Sequence, residues 1–209
     1  MRGYRSMPAE DQGPSGSQLY RIAWGIYLLL AVAGALWLGI LRDGIRLDQF
    51  VDPATWWRDA LWGLGAGAGL LGLWEAGRHV LPGARDLERA IADILAGLSP
   101  SDALGLALLS GFAEELFFRG AVQGQWGVWV ATILFALLHT GPGRPFYLWT
   151  AFAAVAGLAF GFLVLHLGNL LAPVLAHVLV NSVNLYRLVT RPPEPAAGDR
   201  LPEDDPRDD

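Results

Sequence analysis

Ser110-Gly-Phe-Ala-Glu114-Glu115-Leu-Phe-Phe-Arg119-Gly120 is the stretch that decides the fold. It sets two adjacent carboxylates and one arginine inside an apolar run. Residues 103–113 carry no charge, and neither do residues 120–138. A charge at the centre of a membrane-spanning helix costs about 2.5–3.5 kcal/mol on insertion scales. A chain that keeps such charges there turns them inward and uses them. On a helix, Glu115 and Arg119 lie four residues apart and share a face, while Glu114 sits about 100° further round. One carboxylate thus has a built-in partner and the other is free to point elsewhere. The group is either a buried structural ion pair or a catalytic base oriented by its neighbours, and the rest of the chain discriminates between the two.

Composition sets the solvent. The chain is 53% hydrophobic and only 17% charged over 209 residues, with nine Trp and 26 Gly, which together with the long uncharged runs indicates an integral membrane protein. There is no cysteine, which excludes disulfides and thiolate metal sites. There is no lysine, so all 15 basic residues are Arg. Residues 191–209 hold seven acids against three Arg, and this tail supplies most of the net charge of −5. No basic patch suggests a nucleic-acid partner.

Outward from the central stretch, the chain reads as an all-α, polytopic membrane helix bundle of about six spans plus one interfacial helix. Residues 1–19 read as a polar, disordered tail, residues 20–190 as the membrane domain with its motif core at 100–188, and residues 191–209 as a Pro-rich, acidic, disordered tail. Residues 22–41 form an uncharged run of 20, long enough to span. Ala31-Val32-Ala33 resembles a signal-peptidase site, but the apolar run continues past it, which favours a retained span. Residues 60–74 are a shorter run, spanning only if Arg58, Asp59 and Glu75 snorkel or the helix extends past them. Gly63, Gly65, Gly67 and Gly69 in it allow close helix packing.

Residues 84–98 differ. Leu87, Ile91, Ile94, Leu95 and Leu98 make one apolar stripe at helical spacing, and Asp86, Glu88, Arg89 and Asp93 cover the rest, as in a helix lying on a membrane surface. Ser99-Pro100 reads as a helix start, Ser99 as cap and Pro100 at the first position. Four apolar segments follow at about 102–123, 126–140, 146–167 and 169–188. Arg2, Arg5, Arg21, Arg78, Arg85, Arg89 and the tail arginines fall on one side of the bundle, against Arg42, Arg46 and Arg58 on the other. That asymmetry favours a cytoplasmic N-terminus.

Few polar groups occur in the later spans. His139 ends one segment, just before Gly141-Pro142-Gly143. His177 and Asn181 lie mid-helix four residues apart and share a face that must point into the bundle. Asn184 reads as interfacial, and His79 and His166 as residues of helix ends without a functional role. Three helices thus each supply a polar face: Glu-Glu-x-x-x-Arg, Phe-x-x-x-His and His-x-x-x-Asn. Converging in a bundle core, they form a wet pocket of carboxylate, imidazoles and amide. In such a pocket a carboxylate deprotonates water, and an imidazole and an amide donate to the forming oxyanion.

In these three motifs the chain resembles the CPBP family of intramembrane proteases, which includes the CAAX prenyl protease 2 and the bacterial Abi-like group. Glu114, Glu115 and Arg119 match the first family motif, Phe135 and His139 the second, and His177 and Asn181 the third, in the family's order. The resemblance covers residues 100–188 and implies proteolysis of a membrane-associated protein or peptide near its C-terminus. It implies Glu114, Glu115, His139, His177 and Asn181 as catalytic residues, with Arg119 and Phe135 orienting them. Glu114 is expected to be the base, because Glu115 has Arg119 as its partner. His139 is expected to hold the water or shuttle the proton, and His177 and Asn181 to stabilise the oxyanion. The cofactor stays open. Glu114, His139 and His177 are the candidate zinc ligands, but there is no His-Glu-x-x-His motif and Asn181 suits an oxyanion better than zinc.

The all-Arg, Ala/Gly-rich composition suggests a bacterial inner membrane protein, for which trimming of C-terminal membrane anchors, as in the myxosortase-type sorting branch, fits better than prenyl-CAAX processing. An ion- or proton-conducting transporter and a non-catalytic scaffold or immunity protein are the alternatives. A transporter more often shows repeats with broken helices in both halves, whereas here the core ionisable residues all fall in the second half.

Overall fold

A computed structural model describes residues 16–41 and 44–193. Much of the expected N-terminal tail, Arg42 and most of the acidic C-terminal tail lie outside these residues. Among the described residues the fold is all-α, as expected, without a strand. The helices are α1 (Gly16–Leu41), α2 (Trp56–Val80), α3 (Ala84–Ile94), α4 (Pro100–Glu114), α5 (Gln123–Leu138), α6 (Phe146–Leu167) and α7 (Leu171–Thr190), with a π-helical turn, Glu115–Val122, between α4 and α5. Residues 16–19, expected in the tail, are the first turn of α1.

Among the described residues, three stretches are long and apolar enough to cross a membrane: Gly16–Ile40, Pro100–Leu138 and Phe146–Leu167. The second holds two of the expected spans. It breaks at Gly127, whose φ of 83° and ψ of 170° are open to glycine but strained for other residues. Phe118 and Arg119 before this break face Phe135 after it, so the two limbs fold back on each other. α2 and α7 are of comparable length but more polar. The outer face of α1, with Ile22, Ile26, Leu29, Leu36 and Ile40 exposed, is the kind of surface that lipid covers.

α7 is the central helix and packs on α2, α4 and α6. Small residues let the backbones approach. A Cβ on Gly111 of α4 would sit 2.6 Å from Val178 Cγ2 and 3.0 Å from the Val178 backbone nitrogen. A Cβ on Gly63 of α2 would collide with the backbone of Ala172. Of the four glycines expected to serve packing, Gly63 and Gly67 do so, one turn apart against α7, while Gly65 and Gly69 face open space. Leu70, Ala156, Phe160, Leu163, Ala172, Ala176 and Val180 fill the space between α2, α6 and α7.

Two charges turn inward where the sequence pattern put them outside. Helix α2 extends past Arg58 and Asp59, and Asp59 is fully buried rather than snorkelling. Its carboxylate accepts from Asn169 Nδ2 at 2.8 Å and Thr55 Oγ1 at 3.0 Å and pairs with Arg58 at 3.0 Å, tying the start of α2 to the α6–α7 connection. Glu88, expected on the polar face of α3, is buried. It accepts from Trp74 Nε1 at 3.1 Å and pairs with Arg187 of α7. In exchange Ile94, expected in the apolar stripe, is exposed. The start of α4 matches its sequence: Ser99 Oγ accepts from the Asp102 backbone N–H at 3.1 Å, and Asp102 accepts from the Ser99 backbone N–H at 2.9 Å. This reciprocal pair satisfies two otherwise unpaired groups.

Candidate active site

The three motifs converge. Glu114 is the last residue of α4, and Glu115 and Arg119 lie in the π-helical turn. His139 caps α5, and His177 and Asn181 lie one turn apart on α7. Glu114, His139, His177 and Asn181 line one cavity of about 300 Å³, which reaches from mid-bundle to α3 and the end of α7.

The two adjacent carboxylates have different surroundings. Glu115 is fully buried and held on both sides: Arg119 Nε lies 3.3 Å from Oε2, and His177 Nδ1 lies 2.8 Å from Oε1. Arg119, equally buried, also donates from Nη2 to the Gly157 carbonyl at 3.1 Å, and its guanidinium sits 4.3 Å from the Phe135 ring centre. Such a stack suits the flat, weakly hydrated guanidinium. Glu114 is buried too, and neither its Oε2 nor that of Glu115 accepts a hydrogen bond, but Glu115 Oε2 lies in the ion pair with Arg119. Glu114 Oε2 faces His139 Nε2 at 3.7 Å, which is too long for a direct hydrogen bond.

The second motif fixes His139. Its Nδ1 lies 2.8 Å from the Phe135 carbonyl. A carbonyl only accepts, so Nδ1 donates to it, and Nε2 is the ring nitrogen turned to Glu114. The Phe135 ring lies 4.3 Å from the His139 ring and 5.8 Å from that of His177, and it also carries Arg119. Phe135 is therefore a common support for three of the polar side chains. In the third motif, Phe160 stacks on His177 at 5.1 Å, and Asn181 Nδ2 donates to Ser110 Oγ at 2.9 Å, keeping its second N–H.

Sequence reasoning missed three residues. Ser110 stands one turn before Glu114, and only that i, i+4 spacing signals it. Tyr27 of α1 lines the same cavity as Glu114, with no motif to mark it. Asn184, expected at the interface, lines the cavity instead. Among the described residues no group of three or more His, Asp or Glu is placed to share a metal ion.

Residues 97–183 match the family model described as type II CAAX prenyl endopeptidase Rce1-like. The chain is also 39% identical over 80 residues to the uncharacterized protein YpbD of Bacillus subtilis (strain 168), a match covering 37% of this chain and 41% of that protein. It thus spans less than half the length of that relative. No solved structure matches the chain. All three motifs lie within the matched segment, and over it the chain is similar to the CPBP family of intramembrane proteases.

Proposed function

We propose that this protein is an intramembrane endopeptidase that hydrolyses a peptide bond of a membrane-associated substrate with water activated by Glu114. One observation carries the reading: of two adjacent carboxylates, Glu115 is held by Arg119 and His177, while Glu114 keeps an unpartnered oxygen facing both cavity and His139. A water placed between Glu114 Oε2 and His139 Nε2, 3.7 Å apart, reaches both at an ordinary hydrogen-bond length of about 2.8 Å.

In the proposed step, Glu114 takes a proton from this water while the water oxygen bonds to the scissile carbonyl carbon. The carbonyl oxygen becomes an oxyanion, stabilised by the free N–H of Asn181 and by Nε2–H of protonated His177. The C–N bond then breaks, and the leaving amine takes the proton from Glu114, relayed through His139. This route takes no step through a metal.

The cavity supports a membrane-associated substrate. It is lined mainly by apolar side chains and opens toward α3, the amphipathic helix. The described arginines at that end include Arg85 and Arg89 on α3, Arg78 at the end of α2 and Arg187 and Arg191 at the end of α7, against Arg46 and Arg58 at the other. This bias favours a cytoplasmic mouth, and a C-terminal membrane-associated segment in a bacterial inner membrane is the proposed substrate. The reading is tested by offering the purified protein a library of tail-anchored and C-terminal signal peptides, with and without chelator. The wild type is expected to cleave a member of the library, with chelator present or absent, and Glu114→Gln to cleave none.

A further inference from the structure

Tyr27 lies on α1, outside the residues 97–183 that the family match covers. Its side chain nevertheless lines the catalytic cavity together with Glu114, His139, His177 and Asn181. It is packed among Leu95, Leu98, Leu106 and Leu188, where α1, α3, α4 and α7 meet. Its phenol and the Glu114 carboxylate share the lining of this cavity, close enough to interact. The other polar groups nearby have different partners: Trp74 Nε1 donates to Glu88, and Ser110 accepts from Asn181.

Glu115 has two partners to fix its carboxylate, whereas Glu114 Oε2 has none. A glutamate side chain turns about three bonds, and an unheld carboxylate spreads over several orientations. A phenol beside an ionised carboxylate can only donate to it. We propose that Tyr27 is the positioning residue for Glu114: its hydroxyl donates to the carboxylate and keeps Oε2 turned toward His139 and the water between them. The N-terminal helix thereby completes a site whose other members all come from the second half of the chain. The proposal rests on Glu114 being the base.

The test uses the full chain in detergent or liposomes as wild type, Tyr27→Phe, Glu114→Gln and the double variant. Tyr27→Phe removes one oxygen and keeps the ring. With a peptide that the wild type cleaves, it is expected to lower kcat about tenfold, the worth of one hydrogen bond to a charged group. KM is expected to stay within about twofold, since only transition-state stabilisation is lost. In thermal unfolding, the single substitutions are expected to shift Tm non-additively, as contacting residues do. Additive shifts overturn the pairing whatever the activity. Wild-type kcat in Tyr27→Phe, with Glu114→Gln inert, overturns the role of Tyr27 alone. Cleavage by Glu114→Gln at the wild-type rate overturns the base assignment and the positioning role with it. Non-additive shifts without cleavage of any library member by the wild type reduce the pair to a structural contact and overturn the role.

Discussion

Arg119→Met removes a charge while roughly keeping the side-chain volume, so its cost measures the buried electrostatics of the site. Both Arg119 and Glu115 have fully buried side chains, with Nε and Oε2 3.3 Å apart. Removing one partner of such a pair leaves an uncompensated buried charge and costs about 3–5 kcal/mol. His177 stays on Glu115 at 2.8 Å and compensates in part, which favours the lower half of that range. The lost donation to Gly157 and the lost stack on Phe135 act the other way. We expect about 4 kcal/mol, a large share of the 5–15 kcal/mol that holds a typical domain. Glu115→Gln combined with Arg119→Met is expected to recover about 2 kcal/mol of that loss, because the orphaned charge is then gone. Equilibrium unfolding in mixed micelles, followed by helical circular dichroism, measures all three variants. A cost for Arg119→Met below about 1 kcal/mol, the value of an exposed pair, or additive effects in the double variant would refute the reasoning.

Asp59→Ala is expected to cost about 2–3 kcal/mol in the same unfolding assay, since Asn169 and Thr55 lose their acceptor. Gly111→Ala drives a Cβ to 2.6 Å from Val178 Cγ2 and is expected to destabilise by about 1–3 kcal/mol. Gly65→Ala, in open space, is the control, expected to be neutral or slightly stabilising in the same scan. Ser110→Ala frees the Asn181 amide; kcat for a cleaved peptide is expected to fall severalfold, about 1 kcal/mol of lost orientation, with the unfolding midpoint nearly unchanged.

What could be read from the sequence was periodic. Four-residue spacings put Glu115 beside Arg119 and His177 beside Asn181, and both pairs share a face as expected. That Glu115 and not Glu114 pairs with Arg119 followed from the same spacing, since only Glu115 has an arginine one turn on. The Ser99 cap and the break near Gly127 are local signals of the same kind. What escaped depends on partners far along the chain. Glu88 looks like a surface charge until Arg187, 99 positions later, takes it inward. Asp59 is buried because Asn169 reaches it across 110 positions. Tyr27 is one more aromatic residue in an apolar helix until α1 packs along α4. The π-helical turn from Glu115 to Val122 has no pattern to announce it, though such turns gather at functional sites.

The central claim is that Glu114, not Glu115, activates the water. The most direct test reconstitutes wild type and Glu114→Gln in liposomes and measures, in the same samples, the unfolding midpoint and cleavage of a peptide with a membrane-anchored C-terminus. The account predicts a folded Glu114→Gln protein with cleavage reduced by at least about 10²–10⁴, the usual worth of a general base. A folded Glu114→Gln protein that cleaves at the wild-type rate would contradict it.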